Sequence, residues 1–168
     1  MKNAWKNSKT IINKNIKNNS FSRFYLLYGE DDYMKNLYKN KLKNALLGNS
    51  DEMNYSLYTN KVDLNVITDM ASTLPFFHDK RLIFIQDSNL FKEANELSTY
   101  LETAPDTTYF VFVETSIDKR NKLYKFVKDN GHVVEMNGLT EYELTAFVKR
   151  QFILSDKEIS DYDAKYML

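Results

Sequence analysis

Five short apolar runs alternate along the chain with longer segments in which apolar positions recur every three or four residues. Phe24, Tyr25, Leu26, Leu27 and Tyr28 form the first run and stop at Gly29, as a strand buried on both faces should. Glu30, Asp31 and Asp32 then supply negative charge for a helix N-terminus, and Tyr33, Leu37, Ala45 and Leu46 keep helical spacing until Gly48. Met53, Tyr55 and Leu57 alternate with polar residues, the pattern of a strand nearer a sheet edge. Leu64, Ile67, Ala71 and Leu74 step by three or four up to Pro75. Leu82, Ile83, Phe84 and Ile85 make a third strand, and the stretch from Phe91 to about Glu102 predicts a helix. Tyr109, Phe110, Val111, Phe112 and Val113 give the strongest strand signal, followed by a helix over 119–130 that Gly131 closes. His132 to Met136 reads as a fifth strand. Beyond Asn137 and Gly138 the alternation stops: helices are expected over 141–152 and from Asp156.

Strands that alternate with helices predict an α/β fold, a five-stranded parallel sheet with helices on both faces, because parallel neighbours need crossover connections. The change of pattern puts a domain boundary near Asn137 and Gly138, beyond which helix follows helix. A chain of 168 residues holds one core-bearing domain and a fragment.

The charge balance removes some classes of function. With 23 Lys and Arg against 23 Asp and Glu, the formal charge is zero, so any contact with nucleic acid must be local. The first twenty residues carry five Lys and no acid, leaving 18 basic and 23 acidic residues over 21–168. That segment reads as a weakly basic helix or arm with a solvated face, and it lacks the apolar stretch of a signal peptide. No apolar run is long enough to span a membrane, and the absence of Cys removes disulfides and thiolate metal sites, so a cytoplasmic, metal-free protein is expected. His78 and His132 read as surface or loop residues.

In an open parallel sheet the ligand site lies beyond the carboxyl ends of the strands, which puts a phosphate cradle, if there is one, at Gly29 to Asn36. That loop has one Gly and three successive carboxylates and lacks the Gly-Lys-Ser/Thr that holds phosphates and metal. Nucleotide hydrolysis is therefore not expected, and no cofactor or catalytic residue is assigned. The acids have an alternative use in a magnesium-dependent phosphoacceptor domain of the receiver type, with Asp31 and Asp32 after the first strand and Asp87 after the third. Thr115 or Ser116 would be its hydroxyl, but the Lys such a domain needs after the fifth strand is missing. The plainer reading is that Asp31 and Asp32 stabilise a helix N-terminus and Asp87 caps the next turn.

Leu74, Pro75, Phe76 and Phe77 concentrate more apolar bulk between a helix and a strand than anchoring needs. Turned inward they plug the bottom of the sheet; exposed, they are an interaction anchor.

The order of segments resembles a known family. Phe24 to Tyr33, Thr73 to Phe77 running into Lys80 to Ile85, Asp118 to Lys125, and Ile159-Ser160 ahead of Tyr166-Met167-Leu168 together resemble the delta subunit of the bacterial DNA polymerase III clamp loader. The likeness covers nearly the whole chain but about the N-terminal half of the family's length. It implies a RecA-like domain of the AAA+ type with a degenerate P-loop over 1–139, the beginning of a helical lid over 140–168, and no C-terminal collar domain. It also implies a non-catalytic subunit of DNA replication in the bacterial cytoplasm. Such a subunit binds the sliding clamp (the beta subunit) and opens its ring, alongside the ATPase gamma/tau and delta-prime subunits, reaching primed DNA through the assembly. The clamp-binding residues it implies are Leu74, Phe76 and Phe77, with Leu74 and Phe76 expected to insert and Phe77 to pack inward. Asp118, Lys119, Arg120, Lys122 and Lys125 read as a solvated helix start.

Overall fold

The chain is described by a computed structural model covering residues 4–48, 52–137 and 141–167. Gly138, Leu139 and Leu168, at the expected boundary and terminus, lie outside the described residues. The chain divides into two compact units, Met1–Met136 and Asn137–Leu168.

The first unit is built on five strands: β1 (Phe24–Tyr28), β2 (Tyr55–Thr59), β3 (Arg81–Gln86), β4 (Thr108–Glu114) and β5 (His132–Glu135). All pairings are parallel, in the order β2-β3-β4-β1-β5. Around them pack α1 (Ala4–Lys17), α2 (Asp32–Leu47), α3 (Leu64–Ser72), α4 (Leu97–Thr103) and α5 (Lys122–Asn130). The continuous apolar runs follow from the topology: β1 lies between β4 and β5 and buries all five residues. Alternate side chains serve opposite faces. Phe24, Leu26, Ile83, Ile85, Phe110 and Phe112 meet Ile67 of α3, Leu97 of α4 and Val127 of α5. Tyr25, Leu27, Leu82, Phe84, Val111 and Val113 meet Ile12 of α1 and Met34, Tyr38 and Leu42 of α2. The N-terminal segment is thus a helix with an apolar residue sunk in the core. β2 is an edge strand, as its alternation predicts, but runs from Tyr55 rather than Met53; Asn54 sits just before it, its side chain bonded to Phe76.

Three other boundaries differ from the sequence pattern. The helix expected from Phe91 begins at Leu97: Asp87 and Asn89 take positive φ, Asn95 accepts the Leu97 N–H and donates to the Leu90 carbonyl, and Phe91 reaches the core from a loop. The next helix starts at Lys122 rather than 119 because Asn121 caps it. Leu74 lies beyond α3, which stops at Ser72; Thr73 is extended, and a residue preceding proline is kept out of the helical region.

The second unit holds α6 (Glu141–Leu154) and α7 (Asp161–Tyr166). The helix expected from Asp156 starts five residues later, since Asp156 has φ 55° and Ser160 provides the cap. Among the described residues no helix is long and apolar enough to cross a membrane.

Candidate functional site

The connection from α3 to β3 is held from both sides by buried polar side chains. Arg81 opens β3 and is 6% exposed. Its Nε donates to the Thr73 carbonyl and its Nη2 to the Leu74 carbonyl, each at 3.1 Å. Asn54, 1% exposed, accepts the Phe76 N–H at 2.6 Å through Oδ1 and donates Nδ2 to the Phe76 carbonyl at 2.8 Å. The carboxamide pairs with Phe76 as a neighbouring strand would. Because buried donors and acceptors must be paired, the loop backbone is tied inward and its side chains are left outward.

The outward side chains are apolar. Leu74 is 78% exposed, Phe76 52% and Phe77 94%. The expectation that Phe77 packs inward is corrected: at φ 49° its backbone is in the left-handed region, and it is the most exposed of the three. Its ring meets that of Phe76 edge to face, with centroids 4.4 Å apart. Sinking a side chain of this size in an apolar pocket is worth about 1.5–3 kcal/mol, and on this tethered loop all three are left exposed. Asn54 and Arg81 were not singled out from the sequence. The signal for Arg81 is a charge at the head of an otherwise apolar strand; Asn54 carries no comparable local mark.

The loop after β1 is organised around its own charges. The Asp31 side chain caps α2 by accepting the Met34 N–H at 2.9 Å, which confirms the helix-terminus reading. Lys35, 3% exposed, sits 2.8 Å from the Asp32 carboxylate and 3.5 Å from the Glu114 carbonyl. This lysine, in the first turn of α2, is committed to the chain itself.

Beside it, at the ends of β3 and β4, the Glu114 carboxylate is buried and accepts the Ser88 hydroxyl at 2.5 Å and the Ser88 N–H at 3.0 Å. Burial pushes its pKa up. Glu114 therefore receives the turn after β3, the part expected of Asp87, while Asp87 accepts the Thr115 hydroxyl at 3.2 Å. The receiver-type alternative fails on topology: that fold has strand order 2-1-3-4-5, and here β1 lies between β4 and β5. Among the described residues no three His, Cys, Asp or Glu side chains gather as a metal site would need. His132 stands against the Tyr25 ring, and burial lowers its pKa. Asp118 and Arg120 pair at 2.8 Å on the surface, and Arg120 holds the Asp118 carboxyl down at about 2.

A parallel sheet in this order, with a first-strand loop that keeps one glycine and lacks the Gly-Lys-Ser/Thr, defines a RecA-like fold of the AAA+ type with a degenerate P-loop. The family model for the DNA polymerase III delta subunit matches residues 25–137, and the chain belongs to that family, one of DNA replication. No curated protein matches the sequence. Among solved structures, the Bacillus subtilis DNA clamp loader delta protein aligns at TM-score 0.74 and 21% identity, over 94% of this chain and 50% of that one. The Thermotoga maritima RuvB Holliday junction branch migration motor aligns at TM-score 0.58 and 17% identity, over 98% and 54%. A Thermotoga maritima DNA polymerase III gamma subunit-related protein aligns at TM-score 0.54 and 13% identity, over 93% and 57%. The chain spans about half the length of these structures.

Proposed function

We propose that the chain acts as the delta subunit of a bacterial clamp loader, binding the ring-shaped sliding clamp through Leu74, Phe76 and Phe77 and opening one of its interfaces. The observation that carries this reading is the tip itself: three large apolar side chains exposed on a backbone that buried polar groups hold in place. Residues 1–139 would serve as the RecA-like domain and 140–168 as the start of the lid. The partners are the clamp, the gamma/tau and delta-prime subunits, and primed DNA reached through their assembly, in the bacterial cytoplasm. The subunit itself is not an ATPase. The pairing of Lys35 with Asp32 and the three successive carboxylates of its loop support that part of the reading, since they oppose a bound polyphosphate.

Clamp rings loaded on nicked circular DNA provide the test. Added without ATP, the chain is expected to release rings from the circles, and the Leu74→Ala/Phe76→Ala variant is not. Release at equal rates by both proteins, or by neither while both are folded, would refute the reading.

A further inference from the structure

Asn54 lies 22 residues before Phe76, at the mouth of β2, and its own carbonyl accepts the Leu82 N–H at 2.8 Å. Its backbone is therefore tied to β3 while its carboxamide holds both backbone groups of Phe76. Arg81 works from the other side. Its backbone N–H bonds the Thr107 carbonyl at 2.8 Å, and its guanidinium takes the carbonyls of Thr73 and Leu74. A guanidinium is costly to bury, and a carboxamide needs both of its ends satisfied. Both find partners on the backbone of one exposed loop, although that loop buries little apolar surface of its own. Directly after the position that Asn54 holds, Phe77 keeps a left-handed backbone that a bulky residue avoids when free.

We infer that Asn54 and Arg81 are positioning residues of the apolar tip: they fix its backbone before any partner arrives, so the partner does not have to order it. This inference rests on the clamp-binding reading above. Ordering a loop on binding subtracts from affinity, and a loop ordered in advance avoids that loss. These bonds fall on Thr73, Leu74 and Phe76 and so bracket four backbone positions, 73–76, and losing one anchor is expected to weaken binding by about tenfold or more.

The test pairs two measurements on the full chain: calorimetric titration with a bacterial sliding clamp, and hydrogen exchange of individual amides. In Asn54→Ala the Phe76 amide, which loses its acceptor, is expected to exchange at least about tenfold faster. The amides of Leu82 to Ile85 stay protected in the same protein, and its affinity for the clamp falls about tenfold or more. Arg81→Lys keeps the charge but replaces the fork with a single head. It is expected to weaken binding in the same direction, and it decides the matter if Asn54→Ala does not fold. Clamp affinity unchanged in the folded variants, or a Phe76 amide still protected without Asn54, overturns the inference and leaves the clamp reading standing. A folded wild-type chain that binds no clamp overturns both.

Discussion

The Lys35 ammonium lies 2.8 Å from the Asp32 carboxylate three residues before it, in the first turn of α2, where a P-loop protein would hold a phosphate. Lys35 is the seventh residue of a segment that begins with Gly29, the spacing of a P-loop lysine, but Met34 and Asn36 stand where a glycine and a Ser or Thr would be. Phosphate would have to displace an ion pair and approach Glu30 and Asp31 as well. A ligand that binds only the native state raises stability as RT ln(1 + [L]/Kd). Millimolar Mg-ATP is therefore expected to leave the thermal unfolding midpoint of this chain unchanged, and an upward shift of several degrees would contradict the account of the loop.

Glu114 links the same region to pH. Burial raises its pKa above the ordinary 4.5 even though Ser88 donates to it twice. An acid whose folded pKa is raised keeps its proton after the unfolded chain has lost it. The stability it contributes is complete below about 4.5 and is lost as pH rises through the folded value. Glu114→Gln keeps the acceptor for Ser88 and removes the ionisation. Urea denaturation at a series of pH values is expected to show the variant gaining on the wild type from about pH 4.5 upward. A stability difference independent of pH would contradict it.

What could be read in advance divides along the range of the interactions. β1 and β4 announce themselves because strands covered on both faces must be apolar throughout, and Asp31 announces α2 because a cap acts within three residues. Phe91 misleads for a related reason: a buried aromatic ahead of Leu97 and Leu101, themselves four apart, looks like part of their helix, whereas here Asn95 and Asn121 hold a loop in place by bonding the Leu90 carbonyl. The tip was visible as an excess of apolar bulk, but its direction was not. Phe77 points outward because Asn54, 22 residues before Phe76, fixes the backbone beside it, and no local pattern records that pairing.

Gly131 ends α5 at a point where a side chain has no room. A Cβ there would lie 2.3 Å from the Phe24 carbonyl oxygen and 2.8 Å from the Phe24 Cβ. The obstruction is the backbone of β1, an interior strand that cannot move without disturbing its pairing with β4 and β5. Gly131→Ala is expected to destabilise the first unit by about 3 kcal/mol in urea denaturation. A loss under about 1 kcal/mol would show that β1 yields more easily than its burial suggests.

Phe77 separates binding from folding. At 94% exposure it contributes little to the native core, so Phe77→Ala is expected to change unfolding free energy by no more than about 0.5 kcal/mol. The same substitution is expected to weaken clamp binding by about 2 kcal/mol, the size of an interface hot spot, measured by calorimetry. A variant that loses stability and keeps affinity would reverse the assignment.

The central claim is that the tip binds a sliding clamp, and its most direct measurement is calorimetry of the 168-residue chain with a bacterial clamp, without nucleotide, beside Leu74→Ala/Phe76→Ala. Two hot-spot side chains at about 2 kcal/mol each predict a loss of roughly a thousandfold in affinity while the variant stays folded. Equal affinity of the two proteins, or no binding by the folded wild-type chain, would contradict the claim.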